Sequence, residues 1–221
     1  MADALLVNAA VLGALLLLLW RLAMRIGDVS FIDAVWGGGM ALLALTSWFQ
    51  ADETGTRVTM IAAMAVIWGM RLCLHLLGRW RASGEDPRYA RMLGKAREKG
   101  RYAGAALRMV FIPQALLLYL TCLPAQLGVL ASSDAPIDPL AQAGLFLWLL
   151  GMVFEVTGDA QLKAFRADPA NRGKVLDSGL WRYTRHPNYF GDACVWFGLW
   201  LVACDHPLGF ALAISPLLMT Y

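Results

Sequence analysis

Charge is scarce in this chain. Asp, Glu, Lys and Arg make up 16% of its 221 residues, against 59% hydrophobic residues and a mean hydropathy of +0.55. A soluble domain carries about a quarter charged residues, so an ordinary soluble enzyme is excluded and a polytopic membrane protein is indicated. Cysteine is also sparse. Cys73, Cys122, Cys194 and Cys204 lie in apolar segments without close pairing, which argues against a disulfide framework or a zinc site and for small core residues. No glycine-rich dinucleotide fingerprint follows a strand, so a Rossmann domain is excluded. No cluster of His, Cys or carboxylates has metal-ligand spacing, and no bound metal is expected. The sequence has no repeat and no low-complexity linker. The opening apolar run, residues 4–19, lacks a basic leader and a cleavage pattern, so it is expected to be a retained helix.

What is present is a succession of long apolar runs, read as one all-α membrane domain of about seven transmembrane helices. The expected spans are residues 4–24, 29–49, 58–80, 105–130, 140–165, 188–204 and 208–221. The fourth carries Pro113 and Pro124, expected as kinks, and the Gly37-Gly38-Gly39 run in the second permits close backbone approach or a bend. At 1.5 Å per residue the fifth is about 39 Å long and is expected to project beyond the hydrocarbon. Basic residues crowd the connections after the first, third and fifth spans, so those face the cytosol and the N-terminus lies outside. In a bacterium the membrane would be the inner one.

Chemistry concentrates in the run Gly179-Leu180-Trp181-Arg182-Tyr183-Thr184-Arg185-His186-Pro187-Asn188-Tyr189-Phe190-Gly191-Asp192. Pro187 biases His186 away from helix and predicts a helix starting just after it, whose free N–H groups face the loop. Arg182 and Arg185 offer forked donors for phosphate or carboxylate. The run reads as a pocket for a large anionic ligand, or as an ordinary basic membrane-interface loop.

Upstream, Glu155, Asp159, Lys163 and Arg166 fall within about 80° of one helical face. They read as a wall of the same pocket, or as a solvated, self-paired helix end. On the third span Trp68, Arg71, His75 and Arg79 form a stripe, and an arginine at that depth wants an anion. Asp33, a turn into the second span, is the nearest candidate. It is either catalytic, with one of these partners holding or protonating a substrate carbonyl, or half of a structural ion pair with Arg71 or His75. The run Gly84-Glu85-Asp86-Pro87-Arg88-Tyr89 and the basic stretch after it read as a lid over phosphates or as a topogenic, lipid-facing loop.

The run from Gly179 to Asp192, with Trp196 after it, resembles the C-terminal signature of the membrane steroid 5α-reductase and sterol-reductase group, and within it the bacterial members of the steroid 5α-reductase family. The likeness is strong over residues 155–200 and weak before. A related Arg-His-Pro-x-Tyr pattern occurs in isoprenylcysteine and phospholipid methyltransferases, which use S-adenosylmethionine, but Asn188 and Gly191-Asp192 favour the reductases. The resemblance implies NADPH-dependent reduction of a carbon–carbon double bond conjugated to a ketone in a 3-oxo-Δ4 steroid or similar lipid, with an S-adenosylmethionine-dependent lipid methyltransferase as the alternative. It implies a cofactor-binding part mainly in residues 139–221, with Glu155, Asp159, Lys163, Arg166, Trp181, Tyr183, Arg185, His186, Asn188, Tyr189 and Asp192 around NADPH. The substrate side lies mainly in residues 1–130, with Asp33 catalytic and Trp36, Trp68, Arg71 and His75 near a lipid arriving from the bilayer. Trp68 stands about where the animal enzymes place a partner tyrosine. The resemblance also implies a short polar tail after the last helix that helps close the cofactor site, whereas the run up to Tyr221 is apolar. No nucleic acid and no obligate protein partner are implied.

Overall fold

The computed structural model describes residues 1–132, 136–204 and 209–220. Residues 133–135, the Asp205-His206-Pro207 separator with Leu208, and Tyr221 lie outside the described residues, and so do the ends expected for the seventh span. The protein is all-α, with no strand among the described residues. It divides into two compact units, Met1–Ala135 and Pro136–Tyr221.

In the first unit, α1 (Ala2–Ile26) ends on Gly27, whose φ of 72° permits the left-handed cap and returns its N–H to Ala23. Then come α2 (Ile32–Gln50), α3 (Thr56–Ser83) and α4 (Pro87–Glu98). The burial pattern of α1 is inverted relative to a soluble helix. Leu6, Leu17, Leu18 and Leu22 are exposed while Asn8 is wholly buried. Its amide donates to Ser47 Oγ at 2.7 Å and to Gln126 Oε1 at 2.9 Å, so a polar group inside the bundle is satisfied by neighbouring helices. α2 runs unbroken through its three glycines, so close approach and not a bend is the outcome. A Cβ on Gly37 would collide with the carbonyl oxygen of Gly69 on α3, and one on Gly69 with that of Gly37.

The expected fourth span is not one kinked helix. It comprises α5 (Tyr102–Ala106), a wide π-turn (Leu107–Phe111), α6 (Ile112–Thr121) and, after a break at Cys122, α7 (Leu123–Ala131). Both prolines lack the N–H that would close a regular turn and crowd the carbonyl four residues back. At Pro113 the helix widens by one residue, and ahead of Pro124 it stops and restarts.

The second unit is built on α8 (Pro139–Ala167) and α9 (Pro187–Val202), followed by a 3₁₀ turn (Gly209–Ala213) and α10 (Ile214–Thr220). Asp138 caps α8 by accepting from the Ala141 N–H at 2.8 Å, with Pro139 in the first position. Three glycines of α8 lie seven residues apart: Gly144, Gly151 and Gly158. A Cβ on Gly151 would lie 2.5 Å from the Gly191 oxygen, and one on Gly144 2.7 Å from the Gly198 oxygen. One on Gly158 would lie 3.2 Å from the Asn188 nitrogen. The two backbones therefore touch along one seam, the small-residue mode of helix packing in membranes.

Among the described residues, five stretches are long and apolar enough to cross a membrane: α1, α2, α3, Tyr102–Thr121 and α8. They fit a multi-pass integral membrane protein. α8, at 29 residues, is about 44 Å long and outreaches a hydrocarbon core of about 30 Å. The expected sixth span is α9, whose 16 residues reach about 24 Å because Pro187 fixes its start and the Ala203-Cys204 turn its end. Within the expected seventh, Gly209–Thr220 forms a shorter apolar helical segment.

Replacing Gly151 with leucine drives a branched side chain into the α9 backbone. The expected loss is about 3 kcal/mol or more, a fall in Tm of roughly 6–12 °C. Gly13→Ala, where a Cβ meets nothing within 4 Å, serves as the control and leaves Tm nearly unchanged. Thermal melts in detergent compare the two.

Candidate functional site

In the first unit, polar chemistry gathers where the α3–α4 connection folds back on the α1–α2 turn. Asp28 organises that turn. Its Oδ1 accepts from the Ser30 N–H at 2.7 Å and the Ser30 hydroxyl at 2.6 Å, and its Oδ2 from the Trp80 indole at 2.7 Å. Ser30 Oγ accepts from the Asp86 N–H at 3.1 Å, and Arg97 Nη2 donates to the Gly27 carbonyl at 2.7 Å and to Glu85 at 2.9 Å. Asp86 is the N-cap of α4 and Pro87 its first residue. The next two residues, Arg88 and Tyr89, are thereby delivered to Asp33 in the first turn of α2.

The Tyr89 hydroxyl donates to Asp33 Oδ1 at 2.6 Å and Arg88 Nη2 to Asp33 Oδ2 at 2.9 Å, while Arg88 also pairs with Asp86 at 2.9 Å. Arg88, through side-chain and backbone hydrogen bonds, holds the Asp86 carboxyl at about 2. Burial raises the Tyr89 phenol above its ordinary value, and its hydrogen bond to Asp33 adds to the rise. The phenol therefore keeps its proton at neutral pH. Gln114 on α6 donates to the Tyr89 oxygen at 3.2 Å and accepts from the Trp36 indole.

The expected pairing of Asp33 with Arg71 or His75 is corrected. Both carboxylate oxygens of Asp33 are engaged by Tyr89 and Arg88, because α4 lies over the first turn of α2. Arg71 and His75 are half-buried on α3, and Trp68 is 1% exposed within the core. Among the expected substrate residues, Trp36 joins the Asp33 network. Gln114 is a member of this centre that the sequence pattern does not single out, and Tyr89, expected only as part of a lid or topogenic run, joins it. A signal for the tyrosine exists: Asp86-Pro87 is a cap followed by a first-turn proline, which starts a helix inside the basic stretch. Gln114 carries no such mark.

In the second unit, the loop between α8 and α9 closes over the end of α8. Trp181 Nε1 donates to the Gly158 carbonyl at 3.0 Å, and the Leu180 N–H donates to Gln161 Oε1 at 3.0 Å. Gly179, with φ of 60°, leaves no room for a side chain against Gln161. Beneath lies a cavity of about 900 Å³, at the upper end of small-molecule sites. Arg166, Arg172, Lys174, Arg185, His186 and Trp181 line it, with Asp168, Asp177 and the apolar Leu162 and Phe165. Four cations, His186 not counted, against two carboxylates leave a formal excess of two positive charges.

The eleven expected cofactor residues divide. Arg166, Trp181, Arg185 and His186 line the cavity. Glu155, Asp159, Asn188 and Asp192 lie on α8 and α9 instead. Glu155 is 4% exposed and its backbone and Cγ pack on Gly191, while Asn188 Nδ2 donates to Asp159 Oδ1 at 3.2 Å. Lys163 and Tyr183 are exposed, and Tyr189 stacks on His186 with ring centroids 4.9 Å apart. Arg172 and Lys174 join the cavity wall beyond the expected set; their signal was the positive charge of the loop. The Asn188 Oδ1 is buried and has no hydrogen-bond partner. Asn188 is not part of the cavity wall, and the four cations there fit a ligand that bears phosphates, as a phosphorylated dinucleotide does. Among the described residues, no group of His, Cys and carboxylates is arranged to hold a metal ion.

Comparison with known proteins adds family context. A 3-oxo-5-alpha-steroid 4-dehydrogenase 1 of Mus musculus is 34% identical over 72 residues, 33% of this chain and 28% of that protein. A protein named "Probable O-methyltransferase ustE" of Ustilaginoidea virens is 30% identical over 73 residues, 33% of this chain and 26% of that one. An uncharacterized protein of Schizosaccharomyces pombe is 23% identical over 206 residues, covering 83% of this chain and 60% of its own. The chain thus spans between about a quarter and three fifths of the length of these relatives. No solved structure matches. The family model described as "Protein of unknown function (DUF1295)" matches residues 19–221, and the chain belongs to that family, within the steroid 5-alpha reductase-like superfamily.

Proposed function

We propose that this protein is an NADPH-dependent membrane reductase of a carbon–carbon double bond conjugated to a ketone in a steroid-like lipid. The observation that carries the reading is the positive excess of the α8–α9 loop cavity. A phosphorylated dinucleotide is strongly anionic and suits it. S-adenosylmethionine brings a sulfonium cation, which the same four cations repel. The methyltransferase reading is retained as the second because an O-methyltransferase is among the relatives.

Arg166, Arg172, Lys174 and Arg185 would hold the phosphates, and Asn188 and Asp159 would meet hydroxyl or carboxamide groups. When bound, NADPH supplies a hydride to the β-carbon of an enone. Negative charge then grows on the ketone oxygen, and a donor placed there lowers the barrier. Tyr89 would be that donor. Rotation about its Cζ–O bond re-aims the proton from Asp33 to the ketone, while Arg88 keeps the Asp33 carboxylate balanced. A phenol that is a weak acid stays protonated, so it stabilises charge by hydrogen bonding, and the proton added at the neighbouring carbon comes from water. The lipid would arrive from the bilayer and the cofactor from the cytosol.

Ligand-dependent melting tests the cofactor. At a hundred times its Kd, NADPH should stabilise the protein by about 2.7 kcal/mol, raising Tm by roughly 5–11 °C. NADH should do less and S-adenosylmethionine nothing, and the NADPH shift should shrink as salt screens the phosphate contacts. Stabilisation by S-adenosylmethionine alone would move the assignment to the methyltransferase.

The carbonyl donor is tested by Tyr89→Phe and Asp33→Asn. Each should slow single-turnover oxidation of NADPH by a 3-oxo-Δ4 steroid about a hundredfold, near 2.7 kcal/mol of transition-state stabilisation, while leaving NADPH affinity unchanged. Asp33→Asn should cost little stability, because Arg88 keeps Asp86 as its partner. Wild-type turnover in either folded variant removes that residue from the mechanism.

A further inference from the structure

We propose that Gln114 is a positioning residue that sets the direction of the Tyr89 phenol proton, and with it the donor presented to a substrate carbonyl; the inference rests on the reductase reading above. Donor and acceptor identities along the chain of contacts carry it. An indole N–H can only donate, so the Gln114 atom that Trp36 meets is the amide oxygen. This settles which way round the amide sits and turns Nε2, a donor only, toward Tyr89 at 3.2 Å. The phenol has one proton and its oxygen already accepts from Nε2, so the proton goes to the acceptor-only carboxylate of Asp33 at 2.6 Å. Three hydrogen bonds thus run in one sense from Trp36 to Asp33, and Arg88 closes the series from the other side at 2.9 Å.

A carbonyl that accepts the hydrogen bond of the phenol feels this arrangement in two ways. Donation from Gln114 polarises the phenol and makes it a stronger donor, as in any chain of hydrogen bonds. It also occupies a lone pair of the phenol oxygen, so the proton cannot swing back toward α6. Gln114 reaches this position through the backbone. Pro113 sits just beyond the π-turn Leu107–Phe111, whose extra residue rotates the start of α6 by about 100° relative to a regular helix.

The test replaces Gln114 with glutamate, which keeps the size and reverses the polarity. An ionised Gln114→Glu side chain accepts from both Trp36 and Tyr89 and draws the phenol proton away from Asp33. Single-turnover reduction of a 3-oxo-Δ4 steroid should slow about tenfold or more at pH near 8, with KM changed less than about threefold, since one correctly directed hydrogen bond is lost. As pH falls through the titration of the new carboxyl, whose pKa burial raises above the free value of about 4.3, it donates to Tyr89 again, so the rate should recover relative to wild type at the same pH. Gln114→Leu should be slow at every pH. Wild-type rates for Gln114→Glu at high pH, or a loss identical at all pH values, overturn the proposal.

A second arm needs no catalysis. The effects of Trp36→Phe and Tyr89→Phe on Tm should be non-additive by about 2 °C or more with Gln114 present and additive in a Gln114→Leu background. Additivity in both backgrounds overturns the Gln114 link even if the wild-type protein reduces the steroid. If it reduces none, the reductase reading fails, and this coupling still decides whether Gln114 orders the phenol.

Discussion

Backbone contact between α8 and α9 is the constraint on which the second unit depends. Glycines at one-heptad spacing let two helices come so close that an added Cβ at Gly151 or Gly191 would meet the carbonyl oxygen of the other at 2.5–2.6 Å. Such contact suits a lipid environment, where apolar side chains gain little by leaving lipid for protein, and helix association rests on close van der Waals packing. Its functional effect is at the open end. With Gly158 against Pro187 and Asn188, the start of α9 is fixed on the flank of α8. The connecting loop must then fold over the last turns of α8, and its cations converge on one cavity instead of dispersing into solvent.

The first unit solves a different problem. A phenol–carboxylate pair near apolar helices has to be held without leaving charge uncompensated. The protein does this by folding a basic stretch back as α4. The Gly27 carbonyl, left at the end of α1, is taken by Arg97 and Tyr102, and Asp28 takes the indole of Trp80. These contacts place α4 so that its first turn supplies Arg88 as countercharge and Tyr89 as donor. One guanidinium serves both Asp33 and Asp86, so α4 is tied to α2 through the same charge that neutralises the centre.

Much of the architecture was legible in residue order because its causes are local. Apolar length predicted helices able to span, and Pro187 marked the start of α9 to within one residue. Loop charge located the cavity cations. The Arg-His-Pro-Asn-Tyr run pointed to the superfamily that the family match supports. The helical face of Glu155, Asp159, Lys163 and Arg166 was correct as a face, yet the four do not share one environment, since α8 carries them from a buried seam at Glu155 to an exposed end at Arg166.

Residue order by itself determined the all-α class, the approximate ends of the helices and the type of chemistry in each loop, since capping, proline geometry and hydrophobic length act within a few residues. Only the tertiary structure decided who meets whom. Asp33 lies 38 residues from Arg71 and 56 from Tyr89, and helical depth alone favoured the former. The α1–α2 turn, by binding the end of α3 and the start of α4, selected the latter. It likewise decided that the glycines of α2 make a contact and not a bend, and that Pro113 produces a wide turn that delivers Gln114 to the phenol. Hydrogen-bond direction and close backbone approach depend on several helices at once, and no window of sequence contains them.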